Sequence, residues 1–488
     1  MKDNRFVIHS ALKKYNIDQD KVTAPQNTVS HAIEQLQKLH DLSGLHFKDT
    51  SLPVKGSHSI RFACEEYQTS GKGLTSDQCK ASAIMEFIER YSWLHFDYEK
   101  NPGYRIATFK EVAKEKETVC PTYFLSNFFA LENKDQLTDK ILSIPIKWVE
   151  GISLTDGRPF FYPINWHNYV YGTNGLAAGN VMEEAILQAV CELIERDNIF
   201  RLFALCEPGN SVNQESIRHP LLRSLIDEVK EAGISILIKD ISYDLGIPTF
   251  IVQGTLEADA DLITHKGVGH GCHPDPHKAL IRALSEYFEG LSSTKDSMKR
   301  IKTDFKKEEH RKKSLPAHGG FIVTLNPNML YESKKNISMD DIPDLSHEDI
   351  GQELKSILSI LSDHGHDMIL IDKTDPNLNI PAVRIFSQRM RSVINGEIHS
   401  PFRAMSGLCY EAFDDQSADA FIRQFYLDIS RLSDNLSGMF NALLIPPSAS
   451  TFFCRNFQES LLNLMRQRKR IFSSAAINTF DLLLKKGI

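Results

Sequence analysis

The segment NGLAAGNVMEEAILQAVCELIERD, residues 174–197, constrains this chain more than any other. Gly175 and Gly179 flank two alanines, and Asn180 followed by Glu183 has the form of a capping box. Ala185, Leu187, Ala189, Val190, Leu193 and Ile194 then supply an apolar stripe at helical spacing. Glu184, Gln188, Glu192 and Glu195 recur every three or four residues, so they line a neighbouring face, and Arg196 closes the row. The spacing predicts a glycine loop feeding a helix.

The same pattern occurs twice more. Upstream, GKGLTSDQCKASAIMEFIERYS carries Gly71 and Gly73, a Thr75 cap with Gln78 after it, then Glu86, Glu89 and Arg90. With Glu86 aligned on Glu192, Glu89 falls on Glu195 and Arg90 on Arg196. Downstream, GVGHGCHPDPHKALIRALSEYFEGLS carries Gly267, Gly269 and Gly271, an Asp275-Pro276 cap, then Arg282, Glu286 and Glu289. One Ala-x-x-Glu-x-x-Glu helix is ordinarily a solvated face. Three of them behind glycine-bearing segments predict convergence, with six carboxylates sharing one site. Two carboxylates about 5 Å apart repel by roughly 3 kcal/mol at an effective dielectric of 20, so such a cluster needs cations. Hard divalent ions with oxygen ligands suit it, Mg2+ bridging carboxylates to substrate phosphates being the usual arrangement. Helix N-termini and glycine amides favour anions. Together these features predict a metal–nucleotide site.

The motifs SAIMEFIERYS, NGLAAGN followed by EEAILQAVCELIERD, and HPDPHKALIRALSEYFEG resemble the YcaO superfamily over roughly residues 20–390. The resemblance implies a YcaO-like ATP-binding fold unlike the P-loop, of mixed α/β class, with ATP and Mg2+ as cofactors. It implies phosphorylation of a peptide backbone amide, followed by displacement of phosphate by a nucleophile. Glu86, Glu89, Glu192 and Glu195 match the metal-binding carboxylates, and Arg196 and Arg282 the phosphate-contacting arginines, whose planar forks suit bidentate anion binding. Asn180, Glu184 and Glu286 match nucleotide-site positions, Gln188 sits one turn before Glu192, and Lys21 and Thr28 match a lysine and a hydroxyl residue seven apart. Glu89, Glu195, Arg196 and Arg282 are thereby the candidate catalytic residues. For each of these the bland alternative is a surface group or a structural salt bridge.

Composition sets outer limits. The chain has 488 residues with 42% hydrophobic and 24% charged content, ordinary for a globular protein. A net charge of -7 argues against nucleic acid as the main partner. The start, MKDNRFVIHS, lacks a signal-peptide core, and no run approaches the ~20 apolar residues that span a bilayer. A cytoplasmic location without membrane attachment is expected. The eight cysteines form no Cys-x-x-Cys pair, which disfavours a zinc ribbon. Cys79 and Cys191 read as small packing residues, whereas Cys272 falls in a glycine loop, a place where a thiol can be exposed, with a catalytic role the less favoured reading.

Along the chain, Val29, Ile33, Leu36 and Leu39 give a helical stripe after an irregular start. His58–Tyr67 alternates as a half-buried strand, and Trp148–Ile164 reads as strand, turn at Asp156-Gly157, and strand. Residues 226–252 and 358–386 form a duplication: Gly233 aligns with Gly365, Asp240 with Asp372, and Ile247-Pro248 with Ile380-Pro381. Each copy reads as helix, glycine turn, strand, Asp-bearing loop, strand, with the aspartates as loop formers. Such pseudosymmetric helix–strand units argue for a layered α/β architecture. Lys295–Lys313 is charge-dense and reads as a surface segment, and Tyr331–Asp349 as a polar linker. Residues 412–432 and 458–472 have helical spacing, the latter with the basic run RQRKR. The expected organisation is a catalytic domain over 1–395 and a mostly helical C-terminal region over 396–488.

The chain also departs from its azoline-forming relatives. These commonly end in a Pro-x-Pro-x-Pro tail, whereas here the end is TFDLLLKKGI and no proline follows Pro447. No zinc-bearing leader-binding segment is visible, and FSQRMRSVINGEI stands where relatives often carry a Pro-Gly-rich stretch. These departures favour the thioamide-forming or ribosomal-protein methylthiolation accessory branches over the azoline cyclodehydratases. The resemblance then implies a peptide or protein substrate and a sulfur-delivering partner protein of the TfuA type. A homodimer is compatible with the sequence.

Overall fold

Glycines in the first and third motifs lie inside strands, where the sequence reading placed them in loops. In the computed structural model, residues 6–39, 42–50, 58–64, 67–120, 142–164, 172–203, 207–256, 266–289 and 331–390 are described. The readings of 295–313, 412–432, 458–472 and the C-terminal region 396–488 fall outside them. Helices and sheets alternate, as expected for a mixed α/β fold.

Two compact units make up the chain. The first comprises the described residues up to Phe96, Ser153–Gly157 and Asn174–Met390; the second comprises those of Asp97–Ile152 and Arg158–Thr173. In the first unit, β1 (His46–Thr50), β2 (His58–Ala63) and β3 (Gln68–Gly73) form an antiparallel sheet. A second sheet has the order β12-β11-β10-β9-β13, built from β9 (Asn210–Val212), β10 (Ile234–Asp240), β11 (Thr249–Leu256), β12 (Lys266–Cys272) and β13 (Asn336–Ile337). A third set pairs β14 (Ile369–Asp372), β15 (Ala382–Phe386) and β8 (Leu176–Ala178), with Val383 opposite Ala177. The helices of this unit are α1 (Pro25–Leu36), α2 (Ser76–Leu94), α4 (Met182–Phe203), α5 (Pro220–Glu231), α6 (276–289) and α7 (Ile350–Asp363).

Each motif is therefore a strand followed directly by a helix: β3–α2, β8–α4 and β12–α6. The glycines allow strand and helix to touch backbone to backbone. A Cβ on Gly71 would lie 2.9 Å from Ala83 Cα, and one on Gly271 would lie 2.6 Å from Ala283 N. Ala83, Ala189 and Ala283, the small residues that open each Ala-x-x-Glu-x-x-Glu repeat, are fully buried. Small residues on both surfaces thus bring the carboxylate-bearing turns against their strands.

The caps agree with the sequence in two cases and shift in the third. Thr75 Oγ1 accepts from Gln78 N at 3.2 Å while Gln78 Oε1 accepts from Thr75 N at 3.0 Å, a complete capping box. Asp275 Oδ1 accepts from His277 N and Lys278 N at 2.8 and 3.3 Å. The expected pairing of Asn180 with Glu183 does not form. Because α4 begins at Met182, its third residue is Glu184, and Glu184 Oε2 accepts from Asn180 N and Nδ2 at 3.1 and 2.8 Å. Glu183 instead accepts from His9 N at 2.8 Å.

The duplication is present in the fold. Helix α5, Gly233 at φ 71°, and antiparallel β10 and β11 repeat as α7, Gly365 at φ 75°, and antiparallel β14 and β15. Asp240 Oδ1 accepts from Ser242 N at 3.0 Å and Asp372 Oδ1 from Thr374 N at 2.9 Å, so both aspartates shape turns. Apolar faces of these helices fill three clusters. Helix α4 packs with α7, β8 and β15; α5 and α6 pack on β10 and β11; and α1 packs on α2. Full burial of each Leu, Ile or Phe there contributes about 1.5–3 kcal/mol.

Strand β6 (Ile146–Ser153), all but its last residue in the second unit, runs antiparallel to β7 (Pro159–Tyr162) with Val149 opposite Tyr162, matching the strand–turn–strand reading. Strand β5 (Glu117–Thr118) adds to β7 and β4 (Arg105–Ala107) to β6, and α3 (Phe109–Val112) lies between them in sequence. The Arg105 guanidinium stacks 4.3 Å above the Phe161 ring.

Candidate nucleotide and metal site

Every residue that the family resemblance marks lines one cavity of about 340 Å3 in the first unit, whereas Glu289, the sixth carboxylate of the expected cluster, does not line it. Lys21 and Thr28 come from the chain entering and starting α1. Glu86 and Glu89 come from α2, Asn180, Glu184, Gln188, Glu192, Glu195 and Arg196 from β8–α4, and Arg282 and Glu286 from α6. Spacing of three and four on each helix points the carboxylates to one face, and the strand–helix contacts set those faces toward a common space.

The acidic row of α2 is served by one guanidinium: Arg90 lies 2.7 Å from Glu89 and 3.3 Å from Glu86. On α4, Arg196 lies 3.1 Å from Glu195 and 3.5 Å from Glu192. Glu192 Oε2 also accepts from Gly175 N at 3.2 Å. His270, on β12, bridges two helices: Nδ1 lies 2.7 Å from Glu195 and Nε2 lies 2.8 Å from Glu286. The other Glu286 oxygen meets Lys72 Nζ of β3 at 2.7 Å. At the opposite end, Arg282 donates to Gln188 Oε1 at 2.8 Å, and Thr28 donates to Asn180 Oδ1 at 2.9 Å. Val22 N donates to Glu184 Oε1 at 2.6 Å, with Lys21 Nζ 3.8 Å from the other Glu184 oxygen.

Electrostatics divide these acids into two groups. Burial works against ionising Glu195 and Glu286, but His270, with Arg196 beside Glu195 and Lys72 beside Glu286, outweighs it and holds both acids below the usual carboxylate range. Burial is not so answered at Glu89, whose carboxyl is pushed up to about 8 as Glu192 and Glu86 add to the effect against Arg90. Glu192 is raised for the same reason, burial first and Glu195 next in that direction. Burial and the neighbouring carboxylates therefore disfavour the ionised form of Glu89 and Glu192. A bound divalent cation would favour that form, and oxygen donors alone on α2 suit a hard ion such as Mg2+. Glu89 and Glu192 fit a metal on this ground, and Glu86 lines the same cavity beside Arg90. Among the described residues it is Glu195, His270 and Glu286, not Glu86, Glu89 and Glu192, that bring ligand atoms within 4.8 Å of one another, and both imidazole nitrogens there already face carboxylates.

Sequence reasoning missed Lys72, His270, Asp18 and Asp20 as cavity residues. A signal for two of them existed. Lys72 stands between Gly71 and Gly73, and His270 between Gly269 and Gly271. Glycine at every second position is a strand pattern in which a bare face meets a helix and the interleaved residue is free to serve elsewhere. Cys79 is fully buried, as a packing residue should be; Cys272 is fully buried too, at the end of β12 rather than exposed in a loop, and burial pushes both thiols up.

Carboxylates and guanidiniums from the interior turns of three helices, facing one cavity on a mixed α/β scaffold, suit a metal cation together with an anionic ligand. Residues 70–391 match the profile of the family described as YcaO cyclodehydratase, ATP- and Mg2+-binding. The chain belongs to the YcaO family. It is 26% identical over 370 residues to an uncharacterized protein of Methanothermobacter thermautotrophicus, covering 70% of this chain and 86% of that one. An uncharacterized protein in the tfuA 3' region of Rhizobium leguminosarum bv. trifolii is 29% identical over 240 residues, 44% of this chain and 53% of that one. The ribosomal protein S12 methylthiotransferase accessory factor YcaO of Escherichia coli is 26% identical over 278 residues, with 52% and 47% covered. Among solved structures, a heterocyclase in complex with substrate and cofactor has a TM-score of 0.61 at 22% identity, covering 80% of this chain and 54% of that one. The YcaO protein of Methanopyrus kandleri bound with AMPPCP and Mg2+ has a TM-score of 0.54 at 19% identity, covering 78% of this chain and 94% of that one. Both likenesses show the fold. The chain spans about half the length of the Rhizobium and Escherichia relatives and of the heterocyclase. No helix among the described residues is long and apolar enough to cross a membrane.

Proposed function

We propose that this protein is an enzyme that activates an amide oxygen by ATP-dependent phosphorylation and forms a backbone thioamide in a peptide or protein. The observation that carries the proposal is the convergence of β3–α2, β8–α4 and β12–α6 on one cavity, where burial disfavours the ionised form of Glu89 and Glu192. Bound ATP with Mg2+ supplies the phosphoryl group and the cations that spread its charge. Glu86, Glu89, Glu192 and Glu195 hold the metal in this reading. Arg196 and Arg282 bind phosphate oxygens through planar forks, and Lys21 adds a point charge. Asn180 and Glu184, held by Thr28 and Val22, keep the start of α4 in place, and Gln188 orients Arg282. Glu286, pinned by Lys72 and His270, lines the wall between α4 and α6.

The reaction balances simply. The amide oxygen takes the γ-phosphoryl group and ADP leaves. Hydrogen sulfide then adds to the activated carbon, phosphate departs with the former amide oxygen, and the C=S bond remains. Sulfide as the nucleophile is supported by the relative from the tfuA 3' region, and we assign its delivery to a TfuA-like partner protein. Incubation with ATP, Mg2+, a sulfide source and candidate peptides should add about 16 Da to the substrate, as amide activation and displacement require. A loss of about 18 Da would show ring formation by an internal nucleophile and overturn the thioamide assignment. No ATP-dependent mass change with any peptide, but Mg2+-dependent nucleotide binding, would favour an accessory role like that named for the Escherichia relative.

A further inference from the structure

The polar segment ahead of α1 builds one wall of the cavity. Residues 15 and 21 pair as a bridge: Tyr15 N donates to Lys21 O at 3.0 Å and Lys21 N donates to Tyr15 O at 2.9 Å. Asp18 sits in the turn between them, bonded to Gln78 of α2. Asp20 precedes Lys21 and is 6% exposed. It collects ammonium groups from distant parts of the chain. Lys13 Nζ lies 2.8 Å from Oδ2 and Lys278 Nζ of α6 lies 2.5 Å from Oδ1. Lys13 also meets Glu353 of α7 at 2.6 Å, and His273 Nε2 lies 3.5 Å from Asp20. Lys13 and Lys278 are themselves almost wholly buried at their side chains, at 4% and 10% exposure.

The arrangement is costly unless it has a purpose or a full complement of partners, because buried charges lose their hydration. Breaking one partner of such a pair is strongly unfavourable, which makes the geometry stiff. Asp20 therefore ties the hairpin to α6 directly and to α7 through Lys13. The next residue, Lys21, lies on the cavity with its ammonium 3.8 Å from Glu184, and Val22 N is bonded to the same carboxylate. Asp20, one residue before Lys21, thus anchors the backbone from which Lys21 reaches the cavity, together with the Tyr15 bridge.

We propose that Asp20 is the positioning residue of the nucleotide end of the cavity, fixing Lys21 through its ion pairs with Lys13 and Lys278. This rests on the reading of the cavity as a nucleotide site. The test uses the full chain and the Mg2+ complex of a nonhydrolysable ATP analogue, titrated by calorimetry. Asp20→Asn should weaken binding at least about tenfold, and in turnover it should raise KM for ATP with kcat changed less than threefold. A double-mutant cycle separates positioning from a general structural role. In a Lys21→Gln background, Asp20→Asn should add less than twofold, because the residue it positions is gone. Equal affinity in parent and folded Asp20→Asn, or equal losses in both backgrounds, would overturn the proposal. If Asp20→Asn does not fold, Lys278→Gln leaves the Lys13 pair in place and should show the same dependence on Lys21 at smaller amplitude. The same effect with and without Lys21 would again overturn it. A parent protein that binds no Mg2+–nucleotide would instead refute the site reading on which the proposal stands.

Discussion

Gly71→Ala should damage the site more than its conservative chemistry suggests. A Cβ there would lie 2.9 Å from Ala83 Cα and still closer to the backbone of Cys79 and Ala83. Carbon atoms pack at about 3.5–4.0 Å, so α2 must back away from β3 by roughly 0.6–1 Å or more. Neither surface has a flexible side-chain end that could yield. Overpacking of this kind costs about 1–3 kcal/mol, and contact with backbone on both sides places the variant at or above the upper end. Glu86 and Glu89 follow Ala83 by one and two turns, so the displacement carries two carboxylates away from the cavity. We expect Gly71→Ala to lower the urea midpoint and to lose most Mg2+–ATP-analogue affinity in the fraction that remains folded. Gly246→Ala is the control: φ is 63° but a Cβ meets nothing within 4 Å, so only the ~1 kcal/mol backbone cost applies and binding should be unchanged. Parental stability and binding in Gly71→Ala would refute the claim that strand–helix contact positions the carboxylates.

Other expectations follow from the same structure. Arg196→Lys keeps the charge but loses the planar fork, so it should cut turnover at least about tenfold while the ligand-free melting temperature stays near the parent's; parental turnover would remove Arg196 from the site. His273 is buried and accepts at Nδ1 from Asp275 N at 3.0 Å, which requires a neutral ring. Burial, against Asp20, pushes it down to about 3. The unfolded chain then takes up a proton below about pH 6.5 that the folded chain refuses. Stability should fall as pH drops from about 6.5 toward 3, at up to about 1.4 kcal/mol per pH unit for one proton. Urea midpoints at pH 6.5, 5.5 and 4.5 should show a shallower decline in His273→Gln; identical slopes would contradict the assignment. Asp349→Ala should destabilise the first unit by about 1 kcal/mol, because Asp349 caps α7 through Gly351 N at 2.7 Å and Gln352 N at 3.2 Å.

Much of this was legible because helical spacing carries it. The rows of Glu86 and Glu89, of Glu184, Gln188, Glu192 and Glu195, and of Arg282 and Glu286 declare their faces without any knowledge of partners. The duplication was equally readable, since Gly233 and Gly365 mark the same left-handed turn after two related helices. What the sequence hid lies on strands and in long-range charge pairing. The segment GKG has no β-branched residue and GVGHGC has only Val268, too little to announce a strand among so many glycines, so Lys72 and His270 passed as loop residues. Asp20 looked like part of an irregular polar start because Lys278, which buries it, is 258 positions away. The one-residue error at the cap of α4 came from assigning the first cap-forming side chain to the helix start, whereas the helix begins at Met182 and uses Glu184.

The central claim is that three strand–helix units create one metal-dependent nucleotide site. Calorimetric titration of the protein with a nonhydrolysable ATP analogue, with and without Mg2+, tests it directly. The parent should bind only when Mg2+ is present. Glu192→Gln, which removes an ionisable oxygen ligand from the acidic wall of the cavity, should weaken that binding at least about thirtyfold, on the order of 2 kcal/mol. Metal-independent binding in the parent, or equal affinity in a folded Glu192→Gln, would contradict the account.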